Sequence, residues 1–249
     1  MCLICRRLSK NCKSCSYYNR CKHPNENRPA CLMVTRYEKA QALAKIPKRY
    51  KNSRPENIPI EKDNPEAYRV VMKYCNDVVK FATEDCYSLY MYSVPSKDNP
   101  LGTGTGKTTC ACAILNKFIE DYVWKTAMLR GSMLTLPALF VKCSDFQNIY
   151  NAQFRDKVGA SEEYYTYKDN MKVCNLLVLD DIAIRSCTEA FMNELYEVIN
   201  HRVSEQLATI YTSNVSLEQL GSILDERIAS RIREDCIIRK FVGKDHRDF

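Results

Sequence analysis

The chain has 249 residues, 45% of them hydrophobic, enough to bury a sizeable core in one ordinary domain with a small extra one. It holds no run of about 18 apolar residues, which excludes a transmembrane helix. The opening MCLICRRLSK places cysteines and charges where a signal peptide needs an apolar core, which points to the cytoplasm. The formal net charge of +7 is uneven: Met1–Arg54 carries fourteen Lys and Arg against Glu26 and Glu38, a local +12, which leaves −5 for the rest. A basic head on a mildly acidic body points to an acidic partner, nucleic acid or an acidic protein face; a solvated basic surface is the alternative.

Six of the fourteen cysteines cluster at Cys2, Cys5, Cys12, Cys15, Cys21 and Cys31. In a reducing compartment, two C-x2-C pairs so close together read as metal ligands and the scattered remainder as buried thiols. Composition divides the chain into a cysteine-rich module (1–40), a basic, proline-rich linker (41–64) and a larger domain (65–249). In that domain Asn64 is expected to cap a helix that starts at Pro65, with Tyr68, Val71, Cys75, Val78 and Ala82 on one face.

YSLYMYSV (87–94) reads as a strand, and a helix runs from Lys107 to about Tyr122. ALFVKCS reads as a strand and DFQNIYNAQF as a helix. NLLVLDD is a near-continuous apolar run, as a strand buried on both faces should be. TEAFMNELYEVINHRVS is an amphipathic helix and LATIYTSN a further strand. Ser216 and Gln219 form a capping box before a short helix. Strands alternating with helices predict an α/β fold with a parallel sheet covered on both faces.

Strand, glycine loop, Lys-Thr and helix is the order of a phosphate-binding loop, and GTGTGKTT supplies it. Its backbone from Gly102 through Thr103, Gly104, Thr105 and Gly106 can curl N–H groups around phosphate oxygens, and the helix N-terminus at Thr109 adds its positive end. Lys107 would reach the β and γ phosphates, and Thr108 would offer its hydroxyl to Mg²⁺. The strict pattern places glycine where this chain has Leu101, so either the loop before Gly102 is rearranged or SVPSKDNPL is an insertion.

The strand LLVLDD then brings two acids. Asp180 is placed to hold the magnesium shell with Thr108, and Asp181 to polarise the attacking water. Asn214, ending TIYTSN, would contact the γ-phosphate or orient that water. Arg227 and Arg231 share a helix face from which an arginine would reach a neighbouring subunit's nucleotide; an ion-paired face with Asp225, Glu226 and Glu234 is the commoner outcome for such a stretch.

In this order the motifs resemble the DnaC/DnaI-type replicative helicase loaders of the AAA+ ATPases. The resemblance rests on IPKRY (46–50), LFVKCSDF, LLVLDDI, YTSN and ERIASRIRE. It implies the P-loop AAA+ (ASCE) fold with a small N-terminal zinc module. It implies Walker A at Lys107 and Thr108, Walker B at Asp180 and Asp181, sensor 1 at Asn214, an arginine finger at Arg231 with Arg227 second, and a sensor-2-like Arg247. IPKRY would lie beside the adenine. Leu101, and Asp181 in place of a more usual glutamate, imply slow hydrolysis.

The DnaI branch implies Zn²⁺ at Cys12, Cys15, Cys21 and Cys31, with Cys2, Cys5 and His23 as replacements or a second site. The implied activity is an ATP- and Mg²⁺-dependent ATPase that grips a DnaB-type replicative helicase, forms a homo-oligomer on ATP and delivers the helicase onto single-stranded DNA. The size and compact module suggest a phage or mobile-element version. An IstB-type ATPase partner of a transposase, or a weakly hydrolysing zinc-bearing adaptor, is the alternative.

Overall fold

The computed structural model describes residues 32–97, 99–127, 136–155, 159–183 and 187–245. The expected zinc ligands Cys12, Cys15, Cys21 and Cys31, with Cys2, Cys5, His23 and Arg247, lie outside the described residues.

Helix α1 (Leu32–Leu43) leads through two short 3-10 turns, Lys48–Tyr50 and Pro55–Asn57, to α2 (Pro65–Asn76) and α3 (Val78–Thr83). Then come β1 (Ser88–Tyr92), α4 (Lys107–Ala127), β2 (Ala138–Lys142), α5 (Cys143–Ala152), α6 (Ala160–Val173), β3 (Leu176–Asp180) and α7 (Glu189–Ser204). The chain continues with β4 (Thr209–Ser213), α8 (Leu217–Ile223), α9 (Glu226–Asp235) and β5 (Cys236–Lys240). The strands form one five-stranded sheet in the order β2-β3-β4-β1-β5, and every pairing is parallel. Among the described residues no helix is long and apolar enough to cross a membrane.

Successive strand residues point to opposite faces, so each strand feeds two cores. Leu89, Met91, Leu176, Val178 and Ile210 face a core built with α1 to α4. Tyr90, Leu177, Leu179 and Tyr211 face the other, built with α5 to α9. Helix α4 carries the phosphate loop into the first core, where Cys110 to Leu115 are fully buried. A helical stretch apolar all round belongs in the interior, and these six residues anchor the loop before them to the centre of the protein.

The stretch 41–64, a linker by composition, is instead packed on this body. Ala44, Ile46, Ile58 and Ile60 are buried in the α4 core, as are Tyr37 and Ala40 of α1. Asn116 of α4, fully buried, donates to the carbonyls of Tyr50 (3.0 Å) and Ser53 (3.1 Å) and accepts from Gln41 (3.1 Å). Charge and proline content mark exposed backbone on average, but here apolar anchors at both ends of the stretch, Ala44 and Ile46 and then Ile58 and Ile60, enter the core, and a buried amide satisfies carbonyls between them.

Asn64 precedes α2 as expected, but its side chain makes no capping bond. Its amide donates to the Val242 carbonyl (2.9 Å), and its carbonyl accepts from the Val242 N–H (2.7 Å). It ties the segment after β5 to the body. The capping box of Ser216 and Gln219 is present in both directions.

A candidate nucleotide site at the carboxyl end of the sheet

The ends of β2, β3 and β4 and the start of α4 surround a cavity of about 270 Å³. In an open parallel sheet ligands bind at this edge, beyond the carboxyl ends of the strands. The cavity is lined by Thr103, Gly104, Thr105, Gly106, Lys107, Thr108 and Thr109 of the loop, and by Asp180, Asp181 and Asn214. Lys142, Thr212, Arg49, Tyr50 and Pro59 complete it. The last three belong to the segment around IPKRY, so this packed N-terminal stretch forms one wall.

Gly102, Gly104 and Gly106 all have positive φ, at 61°, 68° and 92°. This is backbone that side chains with a Cβ rarely adopt. Leu101, at the position where the strict pattern has glycine, is 74% exposed. The tight turn falls one residue later: a Cβ on Gly102 would lie 2.7 Å from the backbone carbon of Val94. The loop is therefore rearranged ahead of Gly102, and Asn99 braces it by donating to the Thr103 carbonyl (2.7 Å) and accepting from the Gly102 N–H through its own carbonyl (3.0 Å). The carboxylate of Asp245 lies against Gly104 and accepts from the Thr103 hydroxyl (3.3 Å).

Two hydrogen-bonded sets join the loop to the strands. In the first, the Lys107 ammonium donates to Thr105 Oγ1 (3.3 Å), to Asn214 Oδ1 (3.0 Å) and to the Ser93 hydroxyl. Asn214 in turn donates to Asp181 Oδ1 (3.1 Å). In the second, Asp180 Oδ1 accepts from Thr108 (2.8 Å) and from Thr212 (2.7 Å). The Thr212 hydroxyl also accepts from the Asp181 N–H (2.9 Å), which holds Asp181 at a left-handed φ of 56°. Asp180 is 7% exposed. Burial raises its carboxyl above the usual range; the Thr212 and Thr108 hydroxyls pull it back, Asp181 adds to the rise, and Lys142 opposes it.

A buried carboxylate beside a hydroxyl, with burial still holding its pKa up, is a donor set that fits a hard divalent cation such as Mg²⁺. Among the described residues no group of three His, Cys, Asp or Glu could hold a metal by itself.

Arg227 and Arg231 do not line this cavity. They lie on the exposed face of α9, where Arg227 pairs with Asp225 (2.7 Å) and stacks 4.9 Å over Tyr196, and Arg231 pairs with Glu234 (3.0 Å). The ion-paired face is thus what this chain shows for both. Ser93, Asn99, Lys142, Thr212 and Asp245 are site neighbours that sequence reasoning passes over. Thr212 alone had a signal, a hydroxyl two residues before Asn214 at the end of a buried strand.

No protein-family model matches the chain. Over 130 residues, 52% of this chain, it is 26% identical to the replicative helicase loader DnaC of Escherichia coli (strain K12). The chain spans about half the length of the curated relatives it matches, 46% in that case. Its fold superimposes on the crystal structure of DnaI with a TM-score of 0.60 at 18% identity, over 84% of this chain and 100% of that one. On the crystal structure of the DnaC helicase loader the TM-score is 0.58 at 20% identity, over 79% of this chain and 100% of that one. The chain is similar in sequence to the replicative helicase loader DnaC over those 130 residues, and its described body has the fold of the solved DnaC and DnaI structures.

Proposed function

We propose that the chain is an ATP-dependent loader that binds a DnaB-type replicative helicase and delivers it onto single-stranded DNA. The observation that carries this reading is the pair of hydrogen-bonded sets around the cavity, Lys107–Asn214–Asp181 and Thr108–Asp180–Thr212, on a fold shared with DnaC and DnaI. Lys107 binds the β and γ phosphates, and the loop N–H groups cradle them. Asp181 polarises the attacking water, and Asn214 holds Asp181 and the water in line. Thr108 and Asp180 would hold Mg²⁺, which supplies charge neutralisation on the phosphates. Hydrolysis is slow, because Asp181 is one methylene shorter than glutamate and already holds Asn214.

In this reading ATP orders a homo-oligomer, and Arg231, with Arg227 second, leaves its surface ion pair to meet the nucleotide of a neighbouring subunit. Arg247 acts near the phosphates of its own chain. The helicase is gripped by the module before α1. Cys12, Cys15, Cys21 and Cys31 bind one Zn²⁺ there, as four thiolates at that spacing would.

The test is capture of a DnaB-type helicase, with and without ATP and Mg²⁺, by the full chain and by a chain lacking residues 1–31. The cut stops at 31 because Tyr37 and Ala40 belong to the ATPase core. Capture that needs the first 31 residues is expected; no capture by the full chain in either condition would sink the loader reading. Metal analysis of the purified chain is expected to give about one zinc per chain, lost together with helicase capture in a Cys12→Ser, Cys15→Ser variant. A chain without zinc would remove the metal from the proposal.

A further inference from the structure

Ser93 follows β1 directly and is fully buried. Its N–H donates to the Ser213 carbonyl (3.2 Å), which extends the β1–β4 ladder by one residue and fixes its backbone to the sheet. Its hydroxyl accepts from the Lys107 ammonium and donates to the Gly102 carbonyl. A hydroxyl has one proton and two lone pairs, so a single side chain links the lysine to the turn glycine. The other acceptors of Lys107 named above stand on parts of the site that meet a phosphate. Thr105 belongs to the cradle itself, and Asn214 is shared with Asp181. Of the three, Ser93 stands back at the end of β1, and it is absent from the residues lining the cavity.

The departure at Leu101 gives this bridge its purpose. In the strict pattern a glycine there starts the turn. Here the turn is made at Gly102, packed on the backbone of Val94, and needs a hold from outside the loop. Asn99 secures the Thr103 carbonyl on one side (2.7 Å). Ser93 secures the Gly102 carbonyl on the other, and through the same oxygen aims the lysine.

We infer that Ser93 is a positioning residue for nucleotide phosphate, which fixes the Lys107 ammonium and the Gly102 turn relative to each other through one hydroxyl. This rests on the nucleotide reading of the cavity. Preorganising an ammonium in a water-poor site lowers the reorganisation needed when the phosphate arrives.

The experiment uses the full chain, a fluorescent N-methylanthraniloyl ATP with Mg²⁺ for binding, and steady-state ATP hydrolysis. Ser93→Ala is expected to weaken binding about tenfold and to raise KM by a similar factor while kcat changes less than about threefold. Ser93→Cys keeps the shape of the side chain, slightly enlarged, but offers sulfur, a weak acceptor, and is expected to show the same loss, so the test survives if the alanine variant unfolds. Wild-type affinity in a folded Ser93→Ala or Ser93→Cys chain overturns the assignment of Ser93 while the nucleotide site stands. A loss in kcat with KM unchanged overturns it too. No binding by the wild-type chain overturns the nucleotide reading, and this inference with it.

Discussion

Lys107→Ala is expected to lower ATP affinity by at least about 100-fold, on the order of 2.7 kcal/mol. Lys107 is 6% exposed, and its ammonium donates to oxygens of Thr105, Asn214 and Ser93. These bonds hold the ammonium at the cavity wall, beside the loop that would meet a phosphate. A thermal shift reads the result. At ATP·Mg²⁺ near 100 times its Kd the wild-type chain should gain about 2.7 kcal/mol by mass action. For a domain of this size that corresponds to a rise in Tm of about 5–10 °C. The variant should show no rise, with its nucleotide-free Tm close to wild type, because the side chain removed is bonded to oxygens that other neighbours or water can satisfy. An unchanged shift in Lys107→Ala would mean that the loop is not where the phosphates bind.

Arg202→Met is expected to destabilise the fold by about 3–5 kcal/mol, a fall in Tm on the order of 10 °C. Arg202 lies on α7 and is fully buried. Nη1 donates to the carbonyls of Met171 (2.7 Å) and Cys174 (2.9 Å), Nη2 to Ala208 (2.7 Å) and Nε to Thr209 Oγ1 (2.8 Å). The Met171 carbonyl lies in the last turn of α6, so the negative end of that helix is part of the counter-charge. One planar fork thus closes the end of α6, the turn before β3 and the entry of β4. Methionine matches the volume and leaves these acceptors without a donor. Arg202→Lys should recover only part of the loss, because an ammonium cannot span the same oxygens. Urea unfolding of the three chains checks both statements, and a Tm within about 3 °C of wild type in Arg202→Met would show that the carbonyls find other partners.

What could be read in advance follows from where the information lies. NLLVLDD became the interior strand β3, all five of its residues buried, because a strand covered on both faces has to be continuously apolar. GTGTGKTT became a loop with three positive-φ glycines running into α4, because curling backbone amides toward one point needs that conformation in adjacent residues. Other elements were hidden. The strand β5, Cys236–Lys240, is an edge strand with half-exposed residues and two basic ones, so it lacks an apolar run. The helix α6 buries Tyr164, Tyr167, Lys168 and Met171, and its inward lysine disguises the periodicity. Lys168 is inside because α7 brings Glu194 and Glu197 to its ammonium.

By itself, then, the sequence determined the parallel α/β layers, the glycine loop that runs into α4 and the acid-ended strand, since each depends on residue types in contiguous stretches. Only the tertiary structure decided that 41–64 packs into the core and walls the cavity, that Asn64 reaches Val242 instead of capping, and that the turn belongs to Gly102 with Ser93 behind it. Each of these is a hydrogen bond or packing contact between segments far apart in the chain, and a polar side chain carries no local mark of whether its partner will be water or a distant carbonyl.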